Sequence, residues 1–407
     1  MSELVTQRHI SISSPSHGES PNQCLDAGPT SATYRIAHVD MGRDLRGGQY
    51  QLLLLANRLR LRGHEQLIVC PEASALEARA RQDGFRVFAL PAHDPGGAHG
   101  IVQLRQRLEL DGFDLLHAHD GRGQTIAWLA SLGMPVRRVA SRRVIYLPQG
   151  LASRLALHRL KYDLTCDGVI AVSKFVRGLL IDSGVRPAKI EVIPDGIDVP
   201  SEAPDETQRA RARQELGLSS QDFVVGQLGE FSSEKGQDVA LESVLLLAQR
   251  LPDIKLLLAG DGPATAREAL ARAALRSAGR ARLLGRLAEL SNFFAALDLY
   301  IMPSRAEGLG SAALLAMAHG VAAVASRVGG LPEVVEEGVT GWLVPPAQAA
   351  ALADAIAEAA SDRQRLKRCG IEARRQASKF SADIMADRVE AFYARLISGE
   401  RRHIDDG

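Results

Sequence analysis

Short apolar runs alternate with amphipathic stretches of helical length along most of this chain, a pattern that few folds satisfy other than parallel sheets joined by crossover helices. In the first half the apolar runs fall at 34–40, 66–70, 87–90, 114–119, 136–141, 168–173 and 190–194. A second series follows at 223–228, 255–259, 281–284, 299–302, 322–325 and 341–344. Between them, the segment 199–207 reads V-P-S-E-A-P-D-E-T, with two prolines and no apolar period, which marks it as a linker. A chain of 407 residues exceeds what one hydrophobic core usually organises. The expectation is therefore an α/β protein of two Rossmann-like domains, 34–199 and 208–380, facing a central cleft. Ligands of such folds sit at the carboxyl ends of the strands.

Composition narrows the function classes. Lys plus Arg number 49 against 48 Asp plus Glu, a net charge of +1, which gives no global argument for a nucleic-acid partner. Cys24, Cys70, Cys166 and Cys369 are widely spaced with no C-x-x-C pair, so neither a zinc knuckle nor a disulfide framework is suggested, and a reducing, cytoplasmic compartment fits. The longest apolar runs are far too short to span a bilayer. Residues 1–33 are rich in Ser, Pro and Gly without a signal-peptide core and read as a flexible extension.

Four constellations sit where strand-to-helix loops are expected. After the first strand, Gly47 and Gly48 precede an amphipathic helix; bare amides there would suit a phosphate, and a tight turn would explain them equally well. After the fourth, H-A-H-D places His117 and His119 on one side of a strand. No further cluster with ligand spacing accompanies them, so a metal site is the weaker reading. His119, nearer the strand's carboxyl end, is the residue expected to reach the cleft and donate to a phosphate or sugar hydroxyl. In the second half, Lys235 lies in G-E-F-S-S-E-K-G, placed to neutralise a diphosphate, unless it is a solvated surface lysine. The densest segment is P-S-R-A-E-G-L-G-S, where Glu307 precedes glycines that expose amides at a helix start.

Taken together these stretches resemble the family 4 glycosyltransferases, retaining enzymes of the GT-B fold. The resemblance covers about 34–397 and rests on the order and spacing of H-V-D-M-G-R-D-L-R-G-G-Q, H-A-H-D-G-R, S-R-R-V, V-I-P-D-G-I-D, A-G-D-G-P, S-R-A-E-G-L-G and G-G-L-P-E-V-V. It implies that the Gly48 amide meets the donor phosphate, Lys235 holds the diphosphate, and Glu307 contacts the sugar. The amides of Gly308, Leu309, Gly310 and Ser311 would lie beneath the phosphates, and His119 would stand near the transferred sugar. It further implies a nucleotide-diphosphate sugar as co-substrate, no metal, no covalent nucleophile, and a C-terminal helix, 381–398, crossing back to the first domain. The apolar face of that helix, Ile384, Met385, Val389, Phe392, Tyr393, Leu396 and Ile397, would on its own suggest packing on the second domain instead.

Two positions depart from the family pattern. Leu315 stands where an acidic residue commonly binds the ribose hydroxyls, and Glu230 stands where many members have arginine. Arg305 is the candidate replacement cation. These departures keep a second function open, a catalytically impaired protein of the same fold that binds a sugar nucleotide or glycan. A nucleotide-sugar epimerase or phosphorylase is a third.

The acceptor side is marked by charge. Between Gly121 and Tyr162 there is no Asp or Glu, while Arg142, Arg143, Arg154, His158 and Lys161 all fall there. This basic stretch is either a solvated face or a site for an anionic, lipid-linked or glycan acceptor at the inner face of a membrane, as polysaccharide or lipopolysaccharide synthesis would require.

Overall fold

The computed structural model describes residues 32–91, 96–145 and 160–399. Among them, strands β1 Arg35–Val39, β2 Glu65–Pro71, β3 Arg86–Leu90, β4 Leu115–Ala118, β5 Arg137–Arg142, β6 Gly168–Ala171 and β7 Ile190–Val192 form one sheet, in the order β3-β2-β1-β4-β5-β6-β7. Strands β8 Phe223–Leu228, β9 Ile254–Ala259, β10 Ala281–Gly285, β11 Leu299–Met302, β12 Ala323–Ser326 and β13 Gly341–Val344 form a second, in the order β10-β9-β8-β11-β12-β13. Every neighbouring pair is parallel. Helices cover both faces, so β9 carries a continuous apolar run rather than an alternating one: Leu256, Leu257 and Leu258 are all inaccessible. These are two Rossmann-like domains of the GT-B architecture.

In each sheet the winding reverses once, between β1 and β4 and between β8 and β11. Such reversals leave a crevice at the strands' carboxyl ends. The four constellations singled out in the sequence, around Gly47, His119, Lys235 and Glu307, follow these four strands.

One apolar cluster runs through both domains. Val172, Val176 and Ile197 of the first belong with Leu309, Leu331 and Val334 of the second. Polar contacts reinforce this joint. The Glu333 carboxylate accepts from the amides of Lys174 and Phe175, both at 2.9 Å, and so caps helix Lys174–Asp182 from the opposite domain. Those amides have no partner within their own helix.

The linker is shorter than its sequence suggests. Glu206 and Thr207 belong to helix Glu206–Glu215, because Asp205 and Gln208 form a reciprocal capping box at its start. Two prolines and a lack of apolar period concealed that signal.

The C-terminal helix, Ala382–Ser398, packs on the first domain, as the resemblance implies and contrary to what its apolar face alone suggests. Met385, Val389, Phe392 and Tyr393 join Ile36, Leu55 and Leu115 in one buried cluster. Its approach is fixed at the end of the first domain: Ile197 and Ser381 form a parallel bridge, and the Ala382 amide donates to the Ile197 carbonyl at 2.9 Å. Arg58 of helix Gly47–Leu61 pairs with both Asp198 and Asp383. Truncating Phe392→Ala, a fully packed ring, should cost about 3–5 kcal/mol of unfolding free energy. Urea denaturation checks this, and an unchanged midpoint would show that the helix does not hold the first domain.

Candidate functional site

At the second domain's reversal two loops are pressed together. The chain leaving β8 passes through a 3-10 turn, Ser233–Lys235, into helix Gln237–Leu247. Gly236 at that join has φ +68°, and a Cβ there would lie 2.1 Å from the Pro303 carbonyl oxygen. Only glycine tolerates both the conformation and the approach. The Arg305 amide then donates to the Glu234 carbonyl at 2.7 Å, locking the β8 and β11 loops in register. The consequence is an ion pair, Lys235 Nζ to Glu307 Oε2 at 2.6 Å, with the side chains 26% and 12% exposed.

Glu307 is followed by Gly308, where a Cβ would fall 2.0 Å from the Arg143 carbonyl of the first domain. The Gly308 carbonyl accepts from the Ser173 hydroxyl, also of the first domain, at 2.7 Å. Leu309 is buried, and Gly310 precedes helix Ser311–Ala318, which starts beyond the carboxyl end of β11. The segment that was expected to lie beneath the phosphates is thus also part of the domain joint.

At the first domain's reversal, Asp40 organises the loop after β1. Its Oδ1 accepts from the Gly42 amide and from Gln49 Nε2, both at 2.8 Å. Burial, then the neighbouring Asp120, raises the Asp40 pKa. Asp120 in turn accepts from the Met41 and Gly123 amides, joining the β1 and β4 loops. Gly47 and Gly48 open helix Gly47–Leu61 with nothing within 4 Å of where their Cβ atoms would stand, so open space borders the helix start there.

Three histidine rings cluster beside this loop, tilted against one another. His117 and His119 do lie on one side, with ring centroids 4.1 Å apart, and His38 of β1 joins them. All three are buried. An arginine can only donate, so Arg143, 3.2 Å from His119 Nδ1, makes that nitrogen an acceptor. His119 Nε2–H then donates to His38 Nδ1 at 2.9 Å, and His38 Nε2–H donates to Gln66 Oε1 at 2.7 Å. His117 is held by the hydroxyls of Tyr393 at 2.6 Å and Ser141 at 2.8 Å. The expectation that His119 presents a donor to the cleft is corrected accordingly: both its nitrogens are taken and its ring is covered. The ligand nitrogens of His38, His117 and His119 lie within 4.8 Å of one another. The Arg143 guanidinium opposes a cation there, and every one of these nitrogens already has a hydrogen-bond partner, His38 and His119 through each other, Gln66 and Arg143, and His117 through Tyr393 and Ser141.

Several other expected residues are placed differently. Arg143 does not face an acceptor surface; it is 12% exposed and pairs with Asp195 at 2.8 Å. Asp195 also lies 3.4 Å from the Ser311 hydroxyl, linking the first domain to the helix after Glu307. Neither Asp195 nor His38 was given a role from sequence, although they fall in the quoted stretches V-I-P-D-G-I-D and H-V-D-M-G-R-D-L-R-G-G-Q, which was the available signal. Arg305 is not a free cation for phosphate. Asp238 takes its guanidinium with two contacts of 2.8 and 2.7 Å, and that contact holds the Asp238 carboxyl below its usual range. Glu230 pairs with Arg46 of the first domain at 3.1 Å. Leu315 packs half-buried against the central core and offers no ribose acceptor. Lys161 donates to the Gly121 carbonyl at 3.2 Å, and burial, then Arg142, lowers its pKa. Arg154 and His158 lie outside the described residues.

Known proteins carry the same pattern. The family description Glycosyltransferase Family 4 matches residues 45–200, and Glycosyl transferases group 1 matches residues 208–376. A GDP-mannose-dependent alpha-(1-6)-phosphatidylinositol monomannoside mannosyltransferase of Mycolicibacterium smegmatis is 30% identical over 364 residues, covering 84% of this chain and 92% of that protein. A D-inositol 3-phosphate glycosyltransferase of Mycobacterium tuberculosis is 28% identical over 337 residues, covering 77% of this chain and 68% of that one. Among solved structures, Anabaena HepE in complex with UDP and glucose has a TM-score of 0.79 at 24% identity, over 89% of this chain and 99% of that chain, a likeness of fold.

The histidine cluster makes stability depend on pH. Burial holds His38 down to about 4, and burial holds His117 and His119 well below the ordinary value. Unfolded histidines titrate near pH 6.5, so below that pH the unfolded chain binds protons that the native state refuses. Stability is complete above about 6.5 and is lost as the pH falls towards 4. Between pH 7.5 and 5.5 the three together should remove about 4 kcal/mol of unfolding free energy. Urea unfolding at the two pH values measures the loss; equal stabilities would mean that the native cluster takes up protons.

Proposed function

The chain belongs to the family 4 glycosyltransferases, and from that premise we propose that it transfers a hexosyl or related sugar, with retention, from a nucleotide-diphosphate donor to an anionic glycan or lipid-linked acceptor. The observation that carries the reading is the Lys235–Glu307 pair at the second domain's winding reversal, with helix Ser311–Ala318 starting beside it and Gly47 and Gly48 opposite. Lys235 supplies positive charge where a diphosphate leaves. Its departure frees Glu307 to accept from sugar hydroxyls and to oppose the positive charge that grows at the anomeric carbon. Helix-start amides on both sides hold the phosphate oxygens. No covalent nucleophile and no metal is required, because charge stabilisation and placement of the acceptor hydroxyl suffice.

Support for a charged acceptor comes from two directions. Both mycobacterial relatives are named for acceptors built on inositol phosphate or phosphatidylinositol. The segment 121–161 of this chain holds no carboxylate, and among its described residues Arg142 and Lys161 lie close enough for the arginine to lower the lysine's pKa. The described helices include none long and apolar enough to cross a membrane. On this reading the enzyme works in the cytoplasm, at the inner membrane face where lipid-linked glycans of the cell surface are extended.

One observation, Leu315 in place of a ribose-binding acid, favours a protein that binds donor without transfer. Turnover separates the two readings. With a panel of UDP-, GDP- and ADP-sugars, Lys235→Ala and Glu307→Ala should each lower kcat by about 100- to 1000-fold. Full activity in both variants would place the donor elsewhere, and binding without turnover by the unaltered protein would favour the second reading.

A further inference from the structure

Arg46 closes the mouth of the first domain's loop. It caps helix Gly47–Leu61 immediately before Gly47 and Gly48, and its guanidinium reaches Asp44 at 2.9 Å on its own loop and Glu230 at 3.1 Å on the other domain. Glu230 follows Gly229, whose Cβ position lies 3.8 Å from Lys235 Cγ, so the backbone that carries Glu230 leaves from beside the Lys235 stem. The loop that leaves β8 therefore supplies one partner to each of two ion pairs, Lys235 with Glu307 and Glu230 with Arg46. Arg46 thus has two carboxylate partners, Asp44 and Glu230, for its one positive charge.

We propose that Glu230 is a built-in competitor of the donor's diphosphate, holding Arg46 across the cleft until the phosphates displace it and take Arg46 as their ligand from the first domain. This rests on the donor site proposed above and adds to it the means by which the first domain senses that the site is filled. Magnitudes favour the exchange. Arg46 is 57% exposed and Glu230 34%, and an ion pair so open to water contributes little net stability. Arginine to phosphate is a charge-assisted, bidentate contact and the stronger of the two. The open space beside Gly47 and Gly48 lies next in the chain to the guanidinium that would be released. Glu230 thereby lowers donor affinity while ensuring that Arg46 is already positioned, and donor binding replaces a weak bridge between the domains with a stronger one.

Titration calorimetry of the full chain with UDP, GDP and ADP tests this. For whichever binds, Glu230→Gln should lower Kd by about three- to tenfold and Arg46→Gln should raise it about tenfold. In the Arg46→Gln background, Glu230→Gln should lose most of its benefit, since the carboxylate then has no cation to withhold. An unchanged or higher Kd for Glu230→Gln overturns the competitor, and an undiminished benefit without Arg46 overturns the part assigned to Arg46. Failure of the unaltered protein to bind any of the three nucleotides overturns the donor site itself, and both proposals with it.

Discussion

The contact between Gly236 and Pro303 is the constraint on which the site depends. Any side chain at 236 would strike the Pro303 carbonyl and would strain a backbone at φ +68°. With glycine there, the loops leaving β8 and β11 close on each other, and Lys235 and Glu307 meet at 2.6 Å. The pair is partly shielded, with side chains 26% and 12% exposed, so each charge is satisfied by the other and still reached by solvent. Its neighbours are held by the same logic of close backbone approach, Gly308 lying against Arg143 of the other domain.

The two domains are joined through the site rather than away from it. Ser173 donates to Gly308, Glu333 caps the helix that begins at Lys174, and Asp195 reaches from Arg143 towards Ser311. Each of these links a residue at the strand ends of one domain to the donor-side loops of the other. Arg143 also fixes the tautomers of His119 and His38, so the neutral histidine relay and the domain joint share one guanidinium. The C-terminal helix adds a third tie through Tyr393, whose hydroxyl meets His117.

Much of this was legible in the sequence because it is local. The apolar runs of buried parallel strands are continuous and unmistakable, and the two glycine-bearing loops follow them directly. Lys235 and Glu307 could be named for the same reason. What escaped was long-range pairing. Nothing near Arg305 announces that Asp238 will occupy its guanidinium, nothing near Arg143 announces Asp195, and His38 lies 79 positions before His117 in number though beside it in the sheet. The capping box at Asp205 was hidden by the surrounding prolines, and the direction of the C-terminal helix came from the family resemblance, since an apolar face records that it packs but not on what. Membership of the family 4 glycosyltransferases brings the strand order and the loops together, whereas the pairing of Glu230 with Arg46 is readable only in the folded chain.

The central claim is that the Lys235–Glu307 pair is the empty form of a diphosphate site. A crystal structure of the protein soaked with UDP or GDP tests it most directly. The account predicts the Lys235 ammonium on the diphosphate, separated from Glu307, with the nucleotide at the carboxyl ends of β8 and β11. A nucleotide bound elsewhere while Lys235 and Glu307 remain 2.6 Å apart would contradict it.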